Sequence, residues 1–485
     1  MKTMDLPPYA PTLIESTRAI GYSLETAAAD IIDNSIAAGA NMVNLSFFPI
    51  GESYISILDN GFGMDADKLN TAMQYGSRNP IDARDAQDLG RFGLGLKTAS
   101  LSQCRCLTVI SKQADKIEGR RWDIDYVSKT GMWSLIILEK EEMNDVPNID
   151  GLLAQDSGTL VVWRKLDRLK SGETDFEQVM GRRIDSVREH LSLVFHRYLS
   201  GEKGITKLKI SINGQKISAS DPFLESKSTQ AMDDEILLVH GQKITVRAYI
   251  LPHISKMTQK EREDLGGKEG LRRQQGFYIY RNKRLLVWGT WFRMRRQDDL
   301  SKLARIRVDI PNTLDDLWTL DIKKSSALPP AEVRKNLEII IEKIAERSKR
   351  TWTFRGKRET DDRSVHIWNR MKNTHGGFYY EINRVHPMVE QILRQAPNVS
   401  VMLNELLKQI ETGIPLNQLY VDLNNEEQLV NGQEQNEQEV KEALKNMLAA
   451  QTTAEEKLAL LVALEGIEPF SQHPLVVSEL KKEVL

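Results

Sequence analysis

The sequence predicts a mixed α/β protein in two successive α/β units followed by a helical region. Three observations carry this. Short apolar runs with strand character recur between residues 43 and 164 and again between 206 and 310. Each set is accompanied by segments of helical periodicity, at 25–38 and at 174–198. From Pro329-Pro330 onward the pattern turns helical, beginning with 331–350.

The elements follow in order. An Ala/Ile-rich helix over 25–38 precedes strands at 43–48 and 53–58, the second running into Asp59-Asn60-Gly61. Further strands are expected near 105–111, 119–126, 131–138 and 158–164. The helix at 174–198 then leads to strands near 206–212, 235–250, 275–287 and 304–310. Residues 355–385 are polar and aromatic and fit neither pattern. Beyond 387 short helices are joined by a Gln/Asn/Glu-rich segment at 424–440 that reads as a linker.

Composition limits the function. The 485 residues, 40% hydrophobic and 28% charged, suffice for two or three domains with sizeable cores. A net charge of −2 argues against coating nucleic acid by bulk charge, yet residues 271–310 carry a net +8 and residues 401–485 a net −9. Cys104 and Cys106 are too close to staple the fold and too few for a zinc knuckle, which fits a reducing compartment. The start lacks an apolar signal segment and no run approaches 18 apolar residues, so a soluble cytoplasmic protein without a membrane span is expected.

Three motifs carry chemistry. In Asp30-Ile31-Ile32-Asp33-Asn34-Ser35, Asp30 and Asn34 lie one helical turn apart on one face. A carboxylate there can activate water, and an amide oxygen can complete the shell of a Mg²⁺ bridging phosphates. Glu25 falls off that face, and Asp33 points elsewhere. Asp59-Asn60-Gly61-Phe62-Gly63-Met64 ends a strand: Asp59 can accept from an exocyclic amine, Gly61 and Gly63 let backbone approach a flat ligand, and Met64 can pack on its ring. The same residues are also a common strand-ending turn. Gly90-Arg91-Phe92-Gly93-Leu94-Gly95-Leu96-Lys97 precedes a helix and can offer bare N–H groups to phosphate, with Lys97 as a mobile cation. It matches neither the Walker A spacing nor a Rossmann fingerprint.

In this order and within about 70 residues, the three motifs resemble the N, G1 and G2 boxes of the GHKL ATPase superfamily, which includes gyrase B, heat-shock chaperones, sensor histidine kinases and MutL. The resemblance implies a Bergerat-type α/β sandwich over 1–170, with ATP and Mg²⁺ as ligands. It assigns Asp30 as the catalytic base and Asn34 as the magnesium ligand. Asp59, Gly61, Gly63, Met64, the 90–97 residues and Thr159 (from Ser157-Gly158-Thr159) would hold the nucleotide. Gln275 to Leu285 resembles the transducer segment of MutL and MORC proteins. It implies a ribosomal-S5-like transducer over 171–345, with Lys323 or Lys324, in Leu320-Asp321-Ile322-Lys323-Lys324-Ser325, reaching the γ-phosphate. Residues 346–485 form the helical region with its acidic linker.

Bacterial MORC-like and MutL-like ATPases of restriction-modification and phage-defence clusters are the relatives this pattern most resembles. They imply an ATP-dependent homodimer, with residues 1–22 as an exchanged strap and a loop over 76–97 closing on the phosphates. They also imply a clamp or switch acting on double-stranded DNA, alongside helicase-like, methyltransferase or nuclease partners. Most GHKL hydrolases carry Glu where this chain has Asp30, so slow turnover is expected. Arg293, Arg295 and Arg296 are the candidate DNA contacts. Trp288, Trp291 and Phe292 could stack on single-stranded bases, although burial in the transducer fits them better. His190, His196, His366 and His375 lack a metal pattern.

Other classes lack their signatures. No histidine precedes Asp30, against a histidine kinase, and no acidic-His endonuclease motif occurs in the last third. The alternative of a different class is a nucleotide-gated scaffold or chaperone that does not bind DNA directly.

Overall fold

Strand pairing divides the first 355 residues between two sheets. The computed structural model describes residues 3–4, 6, 8–19, 21–76, 95–170, 175–228, 233–267, 270–299, 301–315, 317–318, 329–353, 367–372, 378–395, 400–415, 437–449, 453–466, 470 and 473–484. They fall into two compact units, 1–355 and 356–485.

The first sheet comprises β1 (Met42–Phe48), β2 (Tyr54–Asp59), β3 (Cys106–Gln113), β4 (Lys116–Asp123), β5 (Ile136–Leu138), β6 (Gly158–Arg164), β7 (Lys209–Ile212) and β8 (Gln215–Lys216). Their order is β5-β4-β3-β6-β2-β1-β7-β8. Neighbours are antiparallel except β1 and β7. One face packs on α1 (Ala10–Arg18), α2 (Leu24–Ala37), α4 (Gly95–Gln103) and the helix Phe176–Val194, through residues such as Ile14, Ile31, Val109, Trp163 and Leu191. The other face is covered by the short helices Lys140–Asn144 and Ile149–Leu153. β2 and β6 are therefore buried on both sides, which fits the continuous apolar run Leu160–Trp163 of β6 and the burial of Ile55 to Asp59 in β2. Between β2 and α4 lies α3 (Ala66–Met73), N-capped by the Asp65 carboxylate.

Within the N-terminal segment, α1 is seated on its own chain. Buried Arg18 donates to the Leu101 carbonyl at 2.7 Å and to Asp167 at 2.6 Å, joining α1 to α4 and to the segment after β6.

The second sheet comprises β9 (Glu235–Val239), β10 (Gln242–Ile250), β11 (Gly276–Arg281), β12 (Arg284–Thr290) and β13 (Ala304–Ile310), ordered β12-β11-β13-β10-β9. β11 and β13 run parallel, the other pairs antiparallel. The helix Ala331–Thr353 supplies Val333, Leu337, Ile340 and Ile344 to its core. The stretches 235–250 and 275–287 each turn out to be a hairpin. His240-Gly241 and Asn282-Lys283 all have positive φ, the geometry of a tight two-residue turn. Neither turn carries the Asn-Gly or Asp-Gly pair that marks such a turn in sequence.

In residues 356–485, Trp368–Lys372 and Phe378–Ile382 pair antiparallel within the stretch that resisted classification. The helices Glu437–Ala449, Ala454–Leu464 and Pro474–Val484 share a core of Leu444, Leu461, Phe470 and Val477. Of the expected linker at 424–440, residues 437–440 open the first of these helices, and the remainder lies outside the described residues. Among the described residues no helix is long and apolar enough to cross a membrane.

Candidate nucleotide site

The site is built on α2, whose start is fixed by Ser23: its hydroxyl accepts from the Thr26 N–H at 3.3 Å. Helical spacing then sorts the motif by environment. Asp30 and Asp33 are buried, at 3% and 1% exposure, while Asn34 faces solvent. The Asp30 carboxylate accepts from the Tyr22 hydroxyl at 3.0 Å. It also faces the start of α4: a Cβ on Gly95 would lie 3.7 Å from its Oδ2. A buried carboxylate that accepts from a tyrosine hydroxyl, beside an exposed amide one turn on, can activate water next to a metal-bound phosphate.

Asp59 ends β2 beneath α2 and is 6% exposed. Its Oδ1 accepts from Gly61 N–H at 2.9 Å and Thr159 N–H at 3.2 Å, and its Oδ2 accepts from the Ser35 hydroxyl at 2.8 Å. Burial raises its pKa, and the Gly61, Ser35 and Thr159 bonds oppose that rise. A carboxylate offers about four acceptor positions, so these bonds leave room on Oδ2 for an exocyclic amine. This is the feature that fits the residues to an adenine nucleotide.

Ser35 and Ser111 were not picked out as site residues from sequence. Ser35 stands inside the first motif and could have been found there. Ser111, on β3, accepts from the Met64 N–H at 2.8 Å and lies 2.9 Å from the Thr159 hydroxyl, so it joins the second motif to Thr159. No local pattern marks it. The Asn60 side chain receives the N–H groups of Asn41 and Met42, so its role is to hold the start of β1.

The glycines of the second motif are required by protein backbone. A Cβ on Gly61 would lie 2.7 Å from the Ala38 carbonyl oxygen, and one on Gly63, at φ +71°, 1.9 Å from that of Lys112. Lys97 is 1% exposed, and its ammonium donates to the Ala72 carbonyl at 2.9 Å, in the last turn of α3. Gly90, Arg91, Phe92, Gly93 and Leu94, with Lys323 and Lys324, lie outside the described residues. Among the described residues no group of three or more His, Cys, Asp or Glu is placed to hold a metal. A magnesium ion at this site would rest on Asn34, with phosphate and water oxygens completing its shell.

Arg293 and Arg296 are exposed; Arg295 is partly buried and donates to Asp298 at 2.6 Å. Much of the remaining positive charge of 271–310 is turned inward. Arg281 pairs with Asp315, Arg284 with Asp33, Arg307 with Glu225, and Arg305 is buried against backbone carbonyls. Trp291 is 2% exposed, inside the second core, and Trp288 packs against the first.

The family described as "Histidine kinase-, DNA gyrase B-, and HSP90-like ATPase" matches residues 22–159. A MutL protein homolog 1 of Schizosaccharomyces pombe is 25% identical over 230 residues, 45% of this chain and 30% of that protein. DNA mismatch repair protein MutL of Pseudothermotoga lettingae is 32% identical over 97 residues, 20% of this chain and 18% of its own length. MutL of Shewanella sediminis is 32% identical over 91 residues, 18% and 15% of the two chains. The matches thus span less than a third of each of these relatives. A solved N-terminal domain of a DNA repair protein superposes with a TM-score of 0.44 at 17% identity, over 70% of this chain and 98% of that one. Residues 22–159 are a GHKL-type ATPase domain, in a chain with weak homology to MutL.

Proposed function

We propose that this chain binds ATP with Mg²⁺, dimerises when it does so, hydrolyses the nucleotide slowly, and acts as a clamp or switch in DNA-related bacterial defence of the MORC-like, restriction-modification type. Its parts in this reading are the ATPase domain to residue 170, a transducer to 345 and the helical region beyond. The observation that carries the nucleotide reading is Asp59: a buried carboxylate oriented by three inward donors, with acceptor capacity left on Oδ2. Asp30 serves as the base, Asn34 as the magnesium ligand, and Lys323 or Lys324 as the γ-phosphate contact. Residues 90–95 complete the phosphate cradle. Aspartate in place of the longer glutamate accounts for slow turnover.

A second reading, a nucleotide-gated scaffold or chaperone without direct DNA contact, is favoured by the pairing of Arg281, Arg284 and Arg307 with carboxylates. ATP turnover with and without duplex DNA, together with sedimentation in a non-hydrolysable ATP analogue, tests both. DNA-stimulated turnover with analogue-induced dimers supports the clamp. Turnover indifferent to DNA, with dimers retained, supports the scaffold. Absence of ATP binding removes both.

A further inference from the structure

The turn between β11 and β12 is anchored in the first sheet's layer at several points. Lys283 donates to the Lys203 carbonyl at 2.7 Å and lies 3.2 Å from Glu202, and the Tyr198 hydroxyl donates to the Asn282 carbonyl at 2.7 Å. Arg284 goes deepest. At 4% exposure it reaches Asp33 on α2, with Nε 3.3 Å from Oδ1 and 3.2 Å from Oδ2, and its guanidinium lies over the Phe195 ring at 5.9 Å.

The location of this pair gives it consequence. Asp33 lies between Asp30 and Asn34 in sequence but points into the protein interior, toward the second sheet. Each residue of a helix is offset by about 100° from the next, so fixing Asp33 also fixes the rotation of α2 that presents Asp30 and Asn34. A buried ion pair contributes little net stability compared with apolar packing, and its best-attested use is to specify one arrangement. Arg284 belongs to a strand of the second sheet, so its pairing with Asp33 ties that sheet to α2 through two buried charges.

We propose that Arg284 is a positioning residue for the ATPase, holding the rotation of α2 through Asp33 and coupling the second sheet to the nucleotide site. The inference rests on the ATP reading of that site.

Removing one charge strands the other in the interior, so single variants can fail by unfolding. The test therefore centres on the neutral pair Asp33→Asn/Arg284→Gln in the full chain, with Arg284→Gln and Arg284→Lys beside it. For the neutral pair we expect a melting temperature close to wild type, kcat lowered at least roughly tenfold, and KM for ATP changed less than about threefold, as loss of alignment without loss of binding requires. Arg284→Lys should recover much of the turnover lost in Arg284→Gln. A neutral pair that melts and turns over like the wild type overturns the proposal.

Amide exchange of the wild type provides an arm independent of variant folding. Binding of a non-hydrolysable ATP analogue should alter protection over residues 284–290. Analogue binding without that change overturns the coupling alone, whereas a wild type that binds no analogue overturns the ATP reading and the coupling with it.

Discussion

Asp59→Asn separates an adenine-binding carboxylate from a merely structural one. The aspartate's Oδ1 receives two backbone N–H groups and its Oδ2 the Ser35 hydroxyl. An asparagine can satisfy the same neighbours by keeping its oxygen toward Gly61 and Thr159. Its NH₂ then faces Ser35, whose hydroxyl can rotate to accept. The fold should therefore survive, but the position open to an exocyclic amine becomes a donor. Loss of a hydrogen bond to a charged acceptor in a buried site costs about 1.5–3 kcal/mol, which weakens ATP binding roughly 10- to 150-fold. Guanine carries a carbonyl at the corresponding ring position, so GTP should lose less than ATP. Calorimetric titration of both nucleotides, with thermal melts to show folding, checks this. A folded variant with wild-type ATP affinity would refute the adenine assignment.

Asp30→Asn preserves an acceptor for the Tyr22 hydroxyl but removes the base, so ATP binding should persist while turnover falls about 10²- to 10⁴-fold; wild-type turnover in a phosphate-release assay would exclude Asp30 as the base. Reversing Arg293, Arg295 and Arg296 to Glu should abolish binding to duplex DNA and leave basal ATPase activity intact. If all three touch phosphates, the wild-type salt dependence includes a slope of about 2.7 from them, and equal affinity of variant and wild type at low salt favours the scaffold. His196 is buried against Tyr280 at 2.8 Å, and burial, aided by the neighbouring Arg197 charge, lowers its pKa from 6.5 to about 3. The folded state thus keeps it neutral while the unfolded chain takes up a proton below pH 6.5. Its stabilising contribution is complete above that pH and declines as pH falls toward 3. Between about pH 5.5 and 4 this should contribute a slope near 1.4 kcal/mol per pH unit, and urea unfolding of His196→Gln should show a slope shallower by that amount.

The local chemistry of the site was legible in the sequence because its determinants are local. The 3.6-residue period places Asp30 and Asn34 one turn apart, and the strand-to-turn switch at Asp59-Asn60-Gly61 leaves a carboxylate at the end of β2. Alternating and continuous apolar runs likewise gave most strands of both sheets. What spacing cannot carry is which distant groups meet. Ser111 and Thr159 meet beside Asp59 from strands about 50 residues apart. Arg284 finds Asp33 across 251 residues.

The basic segment shows the same limit from the other direction. Its net +8 is a property of sequence, but pairing with Asp33, Glu225 and Asp315 depends on where β11, β12 and β13 place their side chains. Sequence alone thus set most strands of both sheets, the helix that carries Asp30 and Asn34, and the order of the three motifs. Tertiary packing decided which charges face water, because a buried guanidinium must find a carboxylate or carbonyl partner wherever the fold supplies one.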